Sequence, residues 1–209
     1  MQAQAQSQVH KQNTTVHNRW RMRDFITLAI FNVVMMIILT VGGMFAHPIA
    51  YLVGAGVVAL FNGPIYMVMA NKIGKRGVLF FSSLLVGLYF MAFGFVYFLI
   101  TLALIGILCE LVMWGSDTYK NPVRNAIGYG LFYVGYSLCG VVPIVFFKEQ
   151  YVAILEQSYS PDKLGTLLYY YGTPGMVLTM CAISFAGGLA GCYIGNTLLK
   201  KHVAKARLV

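Results

Sequence analysis

VLFFSSLLVGLYFMAFGFVYFLITLALIGILCELVMW, residues 78–114, is 37 residues long and carries a single charge, Glu110. A helix needs about 20 apolar residues to cross the hydrocarbon core of a bilayer. The run is too long for one crossing and must fold back on itself. Gly94 is where reversal costs least, because glycine has no side chain to clash at positive φ. A turn is therefore predicted at 93–97, with one helix on each side.

The rest of the chain reads the same way. It is 59% hydrophobic and 10% charged, with a mean hydropathy of +0.73, against about a quarter charged in a soluble domain. Apolar stretches at 25–45, 48–70, 78–92, 96–114, 126–147 and 174–199 predict an all-α integral membrane protein with six transmembrane helices. Residues 1–23 form a Gln-rich, polar and basic tail, expected to be disordered and lacking the apolar segment of a signal peptide. Residues 24–209 form the membrane domain. The net charge of +9 does not point to nucleic acid, because the basic residues cluster between apolar runs. Thirteen of the 15 Lys and Arg fall in the N-terminal tail, the second-to-third and fourth-to-fifth connections, and the C-terminal tail. The positive-inside rule then predicts that both termini are cytoplasmic and that the protein sits in a cell membrane.

On that topology the longest outer segment is 148–173, KEQYVAILEQSYSPDKLGTLLYYYGT. It is too polar to span, yet its apolar residues could form amphipathic pieces lying over the bundle as an extracellular lid. Aromatic residues crowd this side. An interfacial belt accounts for many of them, but neighbouring residues of a helix point about 100° apart, so part of the run Tyr169, Tyr170, Tyr171 must turn inward. Tyr51, Tyr97 and Tyr151 join them as candidate substrate contacts, since a phenol offers stacking surface and a hydroxyl to a flat, partly polar ligand.

GGMFAHPIAYLVG, residues 42–54, places His47 in the first outer connection. Two readings stand. His47 ends the connection before Pro48, the first residue of the next helix, or it projects into an outer cavity as a hydrogen-bonding group or iron ligand, with Met44 or a tyrosine as a second ligand. No resident cofactor and no metal site are predicted. Cys109, Cys139, Cys181 and Cys192 lie inside apolar runs without CxxC spacing, which suits small buried residues. Glu110 lies one turn from a helix end, where anchoring or a partner contact explains it, although an intramembrane acid is also a functional candidate. Gly187, Gly191 and Gly195 recur at four-residue spacing and predict close helix packing inside the bundle. Ala46, Ala50 and Gly54 make a similar stripe.

Four stretches carry a resemblance: NGPIYMVMANKIGKRGVLFFSSLLVGLYFMAFG (62–94), GILCELVMW (106–114), FFKEQYVAIL (146–155) and GGLAGCYIGNTLLKKHVAKARLV (187–209). Through them residues 24–209 resemble the substrate-binding (S) components of energy-coupling factor transporters, in particular the Trep–Strep family of integral membrane proteins. The resemblance implies a six-helix subunit that binds a vitamin or cofactor in an extracellular-side pocket. It implies partners too: a transmembrane coupling protein with two ATPases, against which the subunit topples to release its substrate inward. In that family a small-residue motif in the first span meets the coupling protein; here Ala29 and Val33 stand at that position.

No phosphate-binding loop, HExxH or GxSxG motif occurs, and one buried acid is a poor basis for acid–base catalysis. The expectation is a receptor subunit for micronutrient uptake in a prokaryotic plasma membrane, itself not an enzyme. Haem is the first substrate suggested by the aromatics, methionines and His47, and a flavin- or thiamine-sized vitamin the second. A stand-alone carrier or channel is the alternative.

Overall fold

The computed structural model describes residues 19–44, 49–115, 118–157 and 159–206. They form helices α1 (Met22–Met44), α2 (Ala50–Ile73), α3 (Val78–Ala92), α4 (Val96–Val112), α5 (Pro122–Leu138), α6 (Val141–Phe146), α7 (Lys148–Glu156), α8 (Pro161–Gly172) and α9 (Pro174–Ala206), with a short 3-10 turn at Thr118–Lys120. No strand occurs among the described residues.

The apolar run 78–114 does reverse where its glycine allows. Gly94 has φ 90°, and α3 and α4 pack as an antiparallel hairpin in which Gly87 meets Leu99 and Gly106 meets Phe80 and Ser83. Other helix ends follow equally local chemistry. Gly74 closes α2 in the left-handed region at φ 61°, its N–H bonding the Ala70 carbonyl at 2.8 Å, the usual glycine stop. Asn121 caps α5 by accepting from the Val123 and Arg124 amides, with Pro122 in the first turn, where a missing N–H costs nothing.

Two boundaries differ from expectation. The fifth apolar stretch is not one helix: Pro143 has no N–H to return to the Cys139 carbonyl, so α5 stops at Leu138 and α6 begins afresh. The domain also starts earlier than residue 24. Trp20 packs against Phe25 and Phe81 at ring distances of 4.8 and 5.0 Å, and its indole N–H donates to the Arg76 carbonyl at 2.8 Å.

Helix contacts give the directions. Along α2 and α9, Gly56 faces Gly187, Ala59 and Leu60 face Gly191, and Pro64 faces Gly195, so these helices run parallel at backbone contact. The glycine stripe of α9 is spent on packing inside the bundle. Helix α5 opposes α9, with Gly130 against Gly188 and Ser137 beside Cys181. Helix α1 opposes α2, since Asn32 lies by Met69 and Asn62 by the Met35 carbonyl. Three helices, Met22–Gly42 of α1, Ala50–Ile73 and Pro174–Lys201 of α9, are long and apolar enough to cross a membrane, and α3 and α4 are shorter apolar helices. Only 22% of the apolar stretch of α1 is buried, leaving Ile26, Ile30, Val33 and Ile37 exposed in one band. An apolar surface of this extent belongs in lipid.

Candidate functional site: a tyrosine-lined chamber under two short helices

At one end of the bundle α7 and α8 pack against Tyr51 of α2 and Phe95 and Tyr97 at the start of α4. Their apolar sides bury Tyr151, Leu155, Leu164 and Leu167 with Ile144 of α6 in a small core separate from the main one. The described residues of 148–173 thus form two short helices, each with a buried apolar side. Beside them is a chamber of about 280 Å³. Leu39 and Gly42 of α1, Tyr51 and Val58 of α2, Phe98 of α4, Tyr136 and Ser137 of α5, Gly140, Tyr159, Tyr171 of α8 and Met180 of α9 line it.

Tyr171 reaches the chamber because Gly140 makes room: a Cβ on Gly140 would lie 2.4 Å from the Tyr171 ring. The ring is edge-on to Tyr51 at 5.9 Å. Burial, with Tyr51 and Tyr159 near, pushes the Tyr171 phenol well above its ordinary range, so it stays a neutral donor. Every described lining residue is uncharged. The chamber therefore offers aromatic faces and hydroxyls, which suits an uncharged, flat ligand with a few polar edges.

The candidate contacts divide. Tyr51 and Tyr171 line the chamber, and Tyr170 stands beside Tyr51 at 6.3 Å. Tyr97 stacks on Phe147 at 5.2 Å and Tyr151 is edge-on to Tyr97 at 6.2 Å, so both hold the lid core. Tyr169 is exposed. His47 lies outside the described residues, as does the side chain of Met44. Sequence reasoning missed Tyr136, Ser137 and Phe98 as lining residues, because nothing in an apolar helix marks which of its faces borders a void. Next to the chamber, α1 and α2 leave an apolar groove of about 480 Å³ lined by Ile37, Val41, Val57 and Phe61, and Gly42, Ala50, Gly54 and Val58 line both spaces.

The opposite end is polar and tightly bonded. Glu110 accepts from the Leu79 and Phe80 amides at 3.1 and 3.4 Å and from the Tyr119 hydroxyl. Its carboxylate thereby caps the N-terminus of α3 from a neighbouring helix, where the helix dipole favours negative charge. Burial first, and the Glu110 charge second, push the Tyr119 phenol far above its ordinary range. Lys75 pairs with Asp24 and donates to the Arg19 carbonyl at 2.6 Å, tying the start of α1 to the α2–α3 connection. Ala29 and Val33 lie on the exposed face of α1.

These features define an integral membrane protein built of apolar helices around an uncharged chamber. The chain belongs to the family described as hypothetical bacterial integral membrane protein (Trep_Strep), whose model matches residues 22–205. No curated protein and no solved structure gives a significant match.

Proposed function

We propose that the chain is the substrate-binding subunit of an energy-coupling-factor importer in a prokaryotic plasma membrane. Six of its helices span the bilayer, both termini are cytoplasmic, and the chamber opens outward under its lid. The chamber carries this reading. It is uncharged and aromatic, its Tyr51, Tyr159 and Tyr171 pack against the small core of α7 and α8, and it lies at the end away from Lys75 and Arg76, the side on which a cytoplasm-facing surface collects cations. Substrate capture needs no chemistry in this chain, which is not an enzyme on this reading; a coupling protein and two ATPases supply the energy. The exposed face of α1 around Ala29 and Val33 is the side offered to the coupling protein.

The lining supports a substrate class. An uncharged ring system of vitamin size fits the phenols and Ser137 best. A haem would need an iron ligand from Tyr51, Tyr136, Tyr159 or Tyr171, or from His47.

The deciding experiment is purification from its host in mild detergent, followed by mass spectrometry of bound small molecules and of co-purifying proteins. A coupling protein with two ATPases, and no ATP hydrolysis by the isolated chain, is the expected result. Uptake by liposomes holding this chain alone would replace the reading with a stand-alone carrier. With the ligand identified, Tyr171→Phe should weaken its binding by about 0.5–1.5 kcal/mol, or roughly three- to tenfold, because one neutral hydrogen bond is lost while the ring still rests on Gly140. Unchanged affinity would remove Tyr171 from the site.

Orientation has its own test. A cysteine at Gln157, exposed at the end of α7, should react with an impermeant thiol reagent added to whole cells. A cysteine at Lys200, exposed near the end of α9, should react only after lysis. The reverse pattern would invert the topology.

A further inference from the structure

The middle of the bundle holds two carboxamides that their protein neighbours leave half-bonded. Asn32 of α1 and Asn62 of α2 are each 1% exposed. Asn32 Nδ2 donates to the Leu28 carbonyl at 2.9 Å and to Ser82 Oγ at 3.1 Å. Asn62 Nδ2 donates to the Met35 carbonyl at 3.1 Å and to the Tyr133 hydroxyl at 2.9 Å. A backbone carbonyl can only accept, so these bonds fix which end of each amide is nitrogen. The two Oδ1 atoms are left as acceptors, and both are buried without a protein donor. Buried polar atoms in native proteins are nearly always bonded to protein or ordered water. Both residues, with Ser82 and Tyr133, line one internal cavity of about 20 Å³ whose wall is otherwise almost wholly apolar.

We propose that this cavity is a binding site for one ordered water, which donates one hydrogen to Asn32 Oδ1 and the other to Asn62 Oδ1. A water site needs at least about 10–15 Å³ and two to four polar partners, and this cavity meets both conditions. The Ser82 hydroxyl, already accepting from Asn32, can turn its own proton to the water oxygen as a third partner. The water then bonds α1, α2 and α3 together beside the two direct polar contacts there, Asn32 to Ser82 and Asn62 to the Met35 carbonyl. A sodium ion could use the same oxygens, but no lining residue is charged, so its charge would be uncompensated in an apolar interior. A neutral donor is the better occupant. Leu39 lines both this cavity and the tyrosine chamber.

X-ray radiolytic footprinting of the full chain in nanodiscs tests the site, because hydroxyl radicals formed from a bound water oxidise the side chains beside it. Met35 and Tyr133, on the cavity, should oxidise roughly tenfold faster than the buried Met67 and Tyr119, which are off it. Equal slow oxidation of all four would overturn the proposal. The wild-type comparison decides even if variants misfold. Where the double variant Asn32→Leu/Asn62→Leu folds, labelling of Tyr133 should fall to the level of Tyr119, and persistent labelling would count against the site. Exchanging sodium for choline at fixed ionic strength should leave the melting temperature unchanged. A saturable rise with sodium would assign the cavity to a cation instead.

Discussion

Gly191→Leu should abolish folded, monodisperse protein. A Cβ at Gly191 would lie 2.7 Å from the Ala59 and Leu60 carbonyl oxygens, and across the same contact a Cβ at Gly63 would lie 2.3 Å from the Gly191 carbonyl carbon. The obstacles are backbone atoms of α2, which no rotamer change can move. Relief requires α9 to withdraw along its length, parting Gly187 from Gly56 and Gly195 from Pro64 as well. Overpacking an ordinary core costs about 1–3 kcal/mol. Here one substitution opens a whole helix pair, and in lipid this close van der Waals packing is what holds helices together. A loss of several kcal/mol is expected, a large share of the roughly 5–15 kcal/mol that a domain possesses. Fluorescence-detected gel filtration and a thermal melt check it. Gly165→Ala, at an exposed position of α8 where a Cβ meets nothing within 4 Å, is the control and should be neutral or slightly stabilising through helix propensity. Wild-type melting of Gly191→Leu would refute the packing of α2 on α9.

Glu110→Ala should be the next most damaging change, at about 3 kcal/mol, because it strands buried donors at a cost of about 1–3 kcal/mol each. The Leu79 and Phe80 amides and the Tyr119 hydroxyl all donate to one oxygen of this side chain. The loss should extend beyond α3, since the Tyr119 carbonyl also accepts from Asn125 and Asn125 Oδ1 accepts from Tyr66. Glu110→Gln keeps an acceptor in place and should lose only about 1 kcal/mol, the difference between a charged and a neutral hydrogen bond. The pair separates two roles for this acid. A cap tolerates the amide, with the melting temperature nearly preserved and, on the proposed function, uptake by the assembled importer nearly preserved too. A proton-relay acid would keep its stability as Gln and lose uptake.

The helical pattern of this chain was legible because it depends on local quantities. The turn at Gly94 followed from run length and one glycine, and the two short helices α7 and α8 from a stretch too polar to span yet still amphipathic. The packing role of Gly187, Gly191 and Gly195 followed from four-residue spacing alone. Expectation failed where a single residue acts against its surroundings: Pro143 splits an apolar stretch that composition reads as continuous, and Trp20 draws polar tail into the fold.

The candidate site was legible only in part. The sequence singled out the tyrosines of 148–173 together with Tyr51 and Tyr97, and two of these candidates, Tyr51 and Tyr171, line the chamber. Tyr97 and Tyr151, indistinguishable from them in a sequence, are instead packed into the lid core. Composition and periodicity decide that the chain is a membrane protein of apolar helices, because bilayer thickness and hydrogen-bond satisfaction are tested residue by residue along the chain. Which tyrosine faces a void, which glycine admits a neighbouring ring, and which asparagine keeps an unpaired oxygen depend on how separate helices meet. Gly140 and Tyr171 are 31 residues apart and Asn32 and Asn62 are 30 apart, so no local pattern carries that information and only their packing brings them together.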